Sequence, residues 1–158
     1  MSSVYQLKRV QLIRAPLEEV WNFFSNSRKL ADITPPNMHF VIKNDIYGKE
    51  MYAGQVIIYK VRPLFGIPVG WMTEITHVER LSFFVDEQRK GPYRLWHHQH
   101  HFKQLPGGVE MTDLVHYRLP LGILGNLAHA TVVERKLTGI FEYRRQKIEE
   151  IFNKGQKN

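Results

Sequence analysis

The C-terminal segment from Ala130 to Asn153 constrains the fold more than any other part of the sequence. Its apolar residues recur mostly at steps of three, four or seven, the spacing of one face of an α-helix, and charged residues fill the positions between them. A helix of this length extends for roughly 35 Å, so it needs a broad apolar surface on which to pack. The predicted apolar face comprises Val133, Leu137, Ile140, Phe141, Ile148, Ile151 and Phe152.

This segment contains one interior glycine, Gly139. A single glycine inside a helix costs about 1 kcal/mol relative to alanine. Either the helix accepts that cost, or the missing side chain lets its backbone approach a neighbour closely. The apolar face of the helix also has two interpretations. It packs only in the core, or it also covers a bound ligand.

Strand patterns fill most of the chain before this segment. Val4 to Arg14 predicts a first strand, and the proline that follows ends it because proline lacks a ladder donor. Pro16 fits the first turn of a short helix, and Asn26 or Ser27 fits the cap of a second. The remaining strand patterns cover His39–Lys43, Met51–Val61, Val69–His77, Leu81–Glu87, Arg94–Lys103 and Val109–Leu119.

Short connections rich in glycine or proline separate these patterns, and such connections favour antiparallel neighbours. One strand, two short helices, six strands and a long helix therefore predict an α+β fold. In it, a curved seven-stranded antiparallel sheet wraps around the long C-terminal helix. We expect residues 1–158 to form a single domain.

Composition excludes several classes of function. The chain has no cysteine, which rules out a disulfide framework, a thiolate nucleophile and a cysteine-based zinc site. No signal peptide is visible and no run approaches about 18 apolar residues, so we expect a cytoplasmic protein without a membrane span. The formal net charge of +7 is spread along the chain among acidic residues, so we expect no nucleic-acid partner.

The stretch from Gly91 to Phe102 is rich in histidine. In a strand, successive side chains alternate between two faces. The two faces carry Trp96, His98, His100 and Phe102, and Leu95, His97, Gln99 and His101. We assign the first set to the interior because it is bulkier and more aromatic. The opposite assignment would place His97 and His101 inside.

The next strand carries a carboxylate that would face this inner wall. If Phe102 lies opposite Met111, then His100 lies opposite Asp113. The carboxylate would hold the imidazole in one tautomer and raise its pKa. Glu74 is a second candidate carboxylate if its side chain also points inward.

Three interpretations of His98, His100 and Asp113 remain open. They form a hydrogen-bonded polar patch in an apolar interior, or they orient the polar end of an apolar ligand. Alternatively they carry chemistry, with a histidine as general base oriented by Asp113, or as two-histidine, one-carboxylate metal ligands. The spacing specifies no metal, and we expect neither a metal nor another cofactor.

Two apolar segments, Pro63–Gly70 and Leu119–Leu127, contain too many glycines and prolines to be strands. Exposed apolar surface usually marks a contact with something. These loops either pack on each other, form the mouth of an apolar pocket, or bind a partner. That partner would be another protein, a second copy of the chain in a homodimer, or a membrane surface.

A series of short motifs extends over about Val4 to Phe152. The motifs are Ala15–Phe23, Leu30–Pro36, Trp71–Ile75, Phe84–Gln88, Gly91–Tyr93, the set Trp96, His98, His100 and Phe102, and then Met111–Asp113, Tyr117–Gly122 and Ile140–Arg144. In this order they resemble the START/Bet v 1-like (SRPBCC) superfamily. The closer resemblance is to its bacterial single-domain branch, called polyketide cyclase/dehydrase-like or cell-division-inhibitor-like. No motif supports the cell-division label.

The resemblance implies the helix-grip fold, with two short helices after the first strand and a hydrophobic cavity between sheet and C-terminal helix. Members of the superfamily bind lipids, sterols, hormones or polyketides, and some catalyse cyclisation or dehydration. The fold alone therefore does not decide the function.

We expect a module that binds a small, mostly hydrophobic ligand, with a cyclase- or dehydratase-type enzyme and an interaction module as alternatives. The catalytic candidates are His98, His100, Asp113 and Glu74. The predicted ligand-binding residues are Trp71, Trp96, His98, His100, Phe102, Asp113, Tyr117, Val133, Leu137 and Phe141. The two apolar loops would control access to the cavity.

Overall fold

The structure, a computed structural model, describes residues 3–44, 50–63, 65–120 and 132–153. In these ranges seven strands form one antiparallel sheet in the order β1-β7-β6-β5-β4-β3-β2. The strands are β1 (Tyr5–Ile13), β2 (Val41–Ile42), β3 (Val56–Val61), β4 (Val69–Glu79), β5 (Phe83–Lys90), β6 (Leu95–Leu105) and β7 (Gly108–Arg118). The α+β architecture predicted from the sequence is confirmed.

Helices lie at two places in the chain. Helix α1 (Leu17–Phe24) begins after Pro16, and two 3₁₀ helices, η1 (Ser27–Ile33) and η2 (Pro36–Met38), follow it. The side chain of Asn26 caps η1 by accepting a hydrogen bond from the backbone N–H of Arg28. The long helix α2 (Glu134–Asn153) ends the described chain.

Helix α2 packs its apolar face against the inner face of the sheet. Leu137 and Phe141 join a core cluster that includes Tyr117 of β7. Ile148, two turns farther along, joins a second cluster built around Trp21 of α1. The two clusters place the middle of α2 over the centre of β6, where the histidines lie.

Several boundaries differ from those predicted. Strand β3 begins at Val56 rather than Met51, because the chain turns at Gly54, whose φ is +92°. A Cβ on Gly139 would meet no atom within 4 Å, so this glycine does not serve a close backbone approach among the described residues. The start that we predicted for α2, at Ala130, lies outside the described residues, as do Leu64 and the stretch 121–127 of the second loop.

No helix in the described ranges is both long enough and apolar enough to cross a bilayer.

Candidate functional site

The inner face of β6 forms one wall of the site. His98, His100 and Phe102 are buried, whereas His97 and His101 on the opposite face are half-buried. This is the assignment that the alternation predicted. The reason is steric: the aromatic side chains of this face pack against the apolar stripe of α2 and against α1.

Strand β7 places a carboxylate beside these histidines. The register pairs His100 with Asp113 and Phe102 with Met111, as predicted from the turn between the strands. Three nitrogen atoms converge on one oxygen, Oδ1 of Asp113. They are Nε2 of His98 at 2.9 Å, Nδ1 of His100 at 3.2 Å and Nη2 of Arg144 at 3.3 Å.

A second carboxylate, Asp86 of β5, was not among the residues predicted from the sequence. Its Oδ2 lies 2.7 Å from Nε2 of His100 and 3.5 Å from Nδ1 of His98. Each histidine thus has one ring nitrogen directed at Asp113 and the other at Asp86. We call Asp86, His98, His100, Asp113 and Arg144 the polar cluster.

The electrostatics distinguish the two histidines. Burial alone would lower the pKa of His100, but its hydrogen bonds to Asp113 and Asp86 outweigh burial and raise that pKa. Burial and the charge on His100 together lower the pKa of His98. The environment therefore favours a proton on His100 and a neutral His98.

The carboxyls of the cluster stay ionised. Burial opposes ionisation of Asp113, but Arg144 and the two histidines hold its pKa well below the usual range. Burial opposes ionisation of Asp86 too, and the same histidines outweigh it and lower that pKa. When His100 holds a proton, two carboxylates face two cations, Arg144 and His100, so the buried charges balance.

Asp86, His98 and His100 have donor atoms within 4.8 Å of one another, a spacing that a divalent ion could bridge, although the sequence predicted no metal. An ion bound to Nε2 of His100 would displace any proton on that nitrogen, which lies 2.7 Å from Oδ2 of Asp86. It would also add positive charge beside the guanidinium of Arg144. The contacts therefore favour a proton as the charge that joins the carboxylates.

Arg144 comes from the middle of α2 and is only 8% exposed. Its guanidinium carbon lies 5.5 Å from the ring centre of Phe24 and 5.8 Å from that of Phe141. Sequence reasoning missed this residue, although a signal was present. The apolar stripe jumps seven residues from Phe141 to Ile148, and Arg144 occupies the buried position between them.

A cavity of about 170 Å³ adjoins the polar cluster. It lies between η1, the inner faces of β3 to β6, and α2. Most of its wall is apolar, and Asp86, His98, His100 and Arg144 supply polar groups. Apolar residues of the wall include Leu30, Ile57, Trp71, Trp96, Leu137 and Phe141.

Four residues of the predicted ligand-binding set are not part of this wall. Phe102 packs edge-on against Trp21 in the core beside α1. Tyr117 and Val133 are buried in the other core cluster. Asp113 lies behind His98, His100 and Arg144, the residues of the wall that it contacts.

Glu74 lies on the outer face of β4, opposite in orientation to Trp71 and Thr73. It forms an ion pair there with Arg89 of β5. Its side chain does not reach the polar cluster, so the condition under which we considered it a second inner carboxylate is not met.

The first apolar loop is described except for Leu64, and most of it is exposed, whereas Leu119 at the start of the second loop is buried. Phe65 and Ile67 expose 74% and 59% of their surface. Phe65 also adopts a left-handed backbone conformation, with φ of +52°. Pro63, which opens this loop, lies in the wall of the cavity.

Comparison with known proteins finds similarity in structure only. No family model matches the chain, and no curated protein matches it. The Zhui aromatase/cyclase from Streptomyces superposes with a TM-score of 0.70 at 14% identity, over 99% of this chain and 100% of the other. Ginseng major latex-like protein 151 from Panax ginseng gives 0.68 at 14% identity, over 94% and 97%.

Protein Ms6760 from Mycobacterium smegmatis gives a TM-score of 0.68 at 15% identity, over 96% of this chain and 92% of that protein. At such low identity these similarities show the fold alone. The chain has the Bet v 1-like helix-grip fold that the motifs of the sequence indicated.

Proposed function

We propose that the protein binds a small, mostly hydrophobic ligand in the cavity between the sheet and α2. One observation carries this proposal: a largely apolar cavity adjoins a charge-balanced polar cluster at one end of its wall. Sites for small molecules are usually concave and apolar, with a few polar groups that fix the ligand's orientation. His98, His100 and Asp86 would meet the polar end of the ligand, and Trp71, Trp96, Leu137 and Phe141 its apolar part.

The size of the cavity narrows the class of ligand. At about 170 Å³ it is close to an engineered protein cavity of about 150 Å³ that binds benzene. A sterol or a lipid chain would not fit within this volume alone and would extend beyond it or push the walls apart. Among lipids, sterols and polyketide-like molecules, we therefore favour a single-ring or short polyketide-like molecule.

Native mass spectrometry of the protein purified from its own source, followed by organic extraction, would identify a ligand that copurifies. Propylbenzene then serves as a defined probe, with binding followed by NMR at the indole N–H of Trp96. Ile57→Phe adds volume on the inner face of β3 and should abolish binding. Ile58→Phe, on the outer face of the same strand, is the matched control. Equal binding by both variants would contradict the proposal.

A cyclase- or dehydratase-type enzyme is the second candidate. The observation in its favour is that the pKa of His100 is raised while that of its neighbour His98 is lowered. Such a pair supplies an acid and a base at the same pH. The similarity to an aromatase/cyclase is in fold and adds no residue role.

The enzyme hypothesis can be tested with 2,6-heptanedione, which cyclises to 3-methylcyclohex-2-enone and water. General acid–base catalysis would give a bell-shaped pH–rate profile that His98→Gln removes. A rate equal to that of buffer would count against this chemistry.

The exposed loop residues Phe65 and Ile67 favour a third role, contact with a partner or a second copy of the chain. Sedimentation over a range of protein concentrations would detect self-association, and Phe65→Ser should abolish it. A mass that does not depend on concentration would contradict self-association. The loop would then have the role of controlling access to the cavity. A cytoplasmic location and a homodimer both remain predictions.

A further inference from the structure

Arg144 has more hydrogen-bond donors than its protein partners use. A guanidinium carries five N–H donors. Among the described residues its polar contacts involve Nη2, which lies 3.3 Å from Oδ1 of Asp113 and 3.4 Å from Nδ1 of His100, and Nε is buried without a hydrogen-bond partner. Since the residue is more than nine-tenths buried, unused donors are unfavourable unless another group accepts them.

The position of Arg144 indicates that the other acceptor would come from the main cavity. The residue belongs to the cavity wall, and the rings of Phe24 and Phe141 flank its guanidinium. These contacts hold the charge where an apolar side chain would otherwise continue the stripe of α2. A cation fixed in this way beside an apolar space is suited to an oxygen acceptor on an apolar molecule.

A second, smaller space offers a competing partner. It has a volume of about 30 Å³ and lies between α2 and the strands β1 and β7, against Asp113, Arg144 and Arg145. That space could hold roughly two water molecules, which would accept hydrogen bonds from Arg144 without any ligand. The two possibilities differ in whether Arg144 affects ligand affinity.

We infer that Arg144 recognises an acidic oxygen group, such as a carboxylate, phenolate or enolate, on the ligand of the main cavity. This inference rests on the proposed function. It names a residue outside the set predicted from the sequence and restricts the ligand to apolar acids and enols.

The charge balance of the polar cluster predicts a second effect of binding an anionic ligand. With a proton on His100 the cluster is neutral without ligand, so an anion would leave a buried negative charge. His98 is the neutral base that could take up a compensating proton. The groups that face it are His100 on its own strand, Asp86 from β5 and Asp113 from β7, and Arg144 from α2 is paired with this Asp113. Binding of an anion should therefore be accompanied by uptake of about one proton.

The test uses two probes of similar size, 3-phenylpropionate and propylbenzene, which differ in a carboxylate and a methyl group. Calorimetry gives both affinities for the wild type, Arg144→Met and Arg145→Met. Arg145 is exposed and bonded to Glu142, so it is the matched control. We expect Arg144→Met to weaken binding of 3-phenylpropionate about ten- to a hundredfold, as for a charged hydrogen bond. Its affinity for propylbenzene should change less than about twofold.

Two measurements on folded wild-type protein avoid dependence on that variant. The ¹⁵N–¹H signal of Arg144 Nε should shift with 3-phenylpropionate but not with propylbenzene. Calorimetry in phosphate and in Tris should give uptake of about one proton for the acid only.

The outcomes separate the two proposals. If propylbenzene fails to bind the wild type, the proposed cavity function fails. If propylbenzene binds but Arg144→Met weakens both probes equally, or the Nε signal does not respond to the acid, Arg144 has a structural role with water as its partner. In that case only the inference about Arg144 is overturned.

Discussion

Oδ2 of Asp86 lies 2.7 Å from Nε2 of His100, the histidine diagonal to it in the sheet and not the one directly opposite. Asp113, on the other side of β6, makes the equivalent diagonal contact with His98 at 2.9 Å. Each histidine therefore contacts carboxylates from both neighbouring strands. The arrangement joins β5, β6 and β7 across the inner face of the sheet.

Asp113→Asn is expected to destabilise the protein strongly. The substitution removes the charge that balances Arg144 and His100 in a buried site, and breaking a buried ion pair in this way costs about 3–5 kcal/mol. Urea unfolding at pH 7 would measure the change. Asp32→Asn, which breaks an exposed pair with Lys29, should cost less than about 1 kcal/mol. Equal losses in the two variants would show that the cluster does not hold the fold together.

The opposite pKa shifts of His98 and His100 predict a maximum of stability near pH 6.5. The raised pKa of His100 gives stability that is present below the unfolded value of about 6.5 and lost as pH rises through the folded pKa. The lowered pKa of His98 gives stability that is present above about 6.5 and lost as pH falls through the folded pKa.

Single substitutions should separate these two contributions to the pH dependence of the free energy of unfolding. His100→Gln should flatten the alkaline side of the stability profile, and His98→Gln the acidic side. Urea unfolding between pH 5 and 9 at constant ionic strength measures both, and His97→Gln on the outer face of β6 is the control. If all three variants keep the wild-type profile, the histidines of the cluster do not govern its pH dependence.

The sequence predicted the fold and one face of the site because both depend on local alternation. On β6 the bulky face had to be inside, and the turn after Phe102 fixed the register that brings His100 opposite Asp113. Asp86 could not be found in this way. It begins a charged run at the end of β5 that has the composition of a solvated strand end, and two register shifts interrupt the pairing of β5 with β4.

Arg144 escaped prediction for a different reason. An arginine on a helix is normally assigned to the solvated face, because burying its charge requires a partner. That partner, Asp113, is a buried carboxylate on β7. Only the assembled sheet shows that the seven-residue gap in the apolar stripe of α2 lies over this carboxylate. The burial of Arg144 therefore depends on a long-range charge pair, which helical periodicity alone does not reveal.

Leu137→Ala should enlarge the cavity as well as destabilise the fold. Leu137 is 4% exposed and lies in the cavity wall, and truncation of a buried leucine costs about 2–5 kcal/mol. We expect the variant to bind naphthalene, which is larger than propylbenzene's ring, more tightly than the wild type does. Ile151→Ala on the exposed end of the same helix should have little effect on either property. Wild-type affinity for naphthalene in Leu137→Ala would place the ligand elsewhere.

Gly139→Ala should stabilise the protein. Gly139 lies inside α2, where alanine is favoured over glycine by about 1 kcal/mol, and an added Cβ would meet no atom within 4 Å. Thermal unfolding should therefore show a higher Tm with unchanged probe binding.

Gly91→Ala is the contrasting variant for this prediction. A Cβ there would lie 2.4 Å from Oε1 of Gln88, whose side chain bonds both the backbone N–H and the backbone carbonyl of Tyr93. Since the clash would displace this bridge beside the cavity wall, we expect a lower Tm and weaker binding of propylbenzene. A lower Tm for Gly139→Ala as well would contradict the prediction and restore the close-approach interpretation of this glycine.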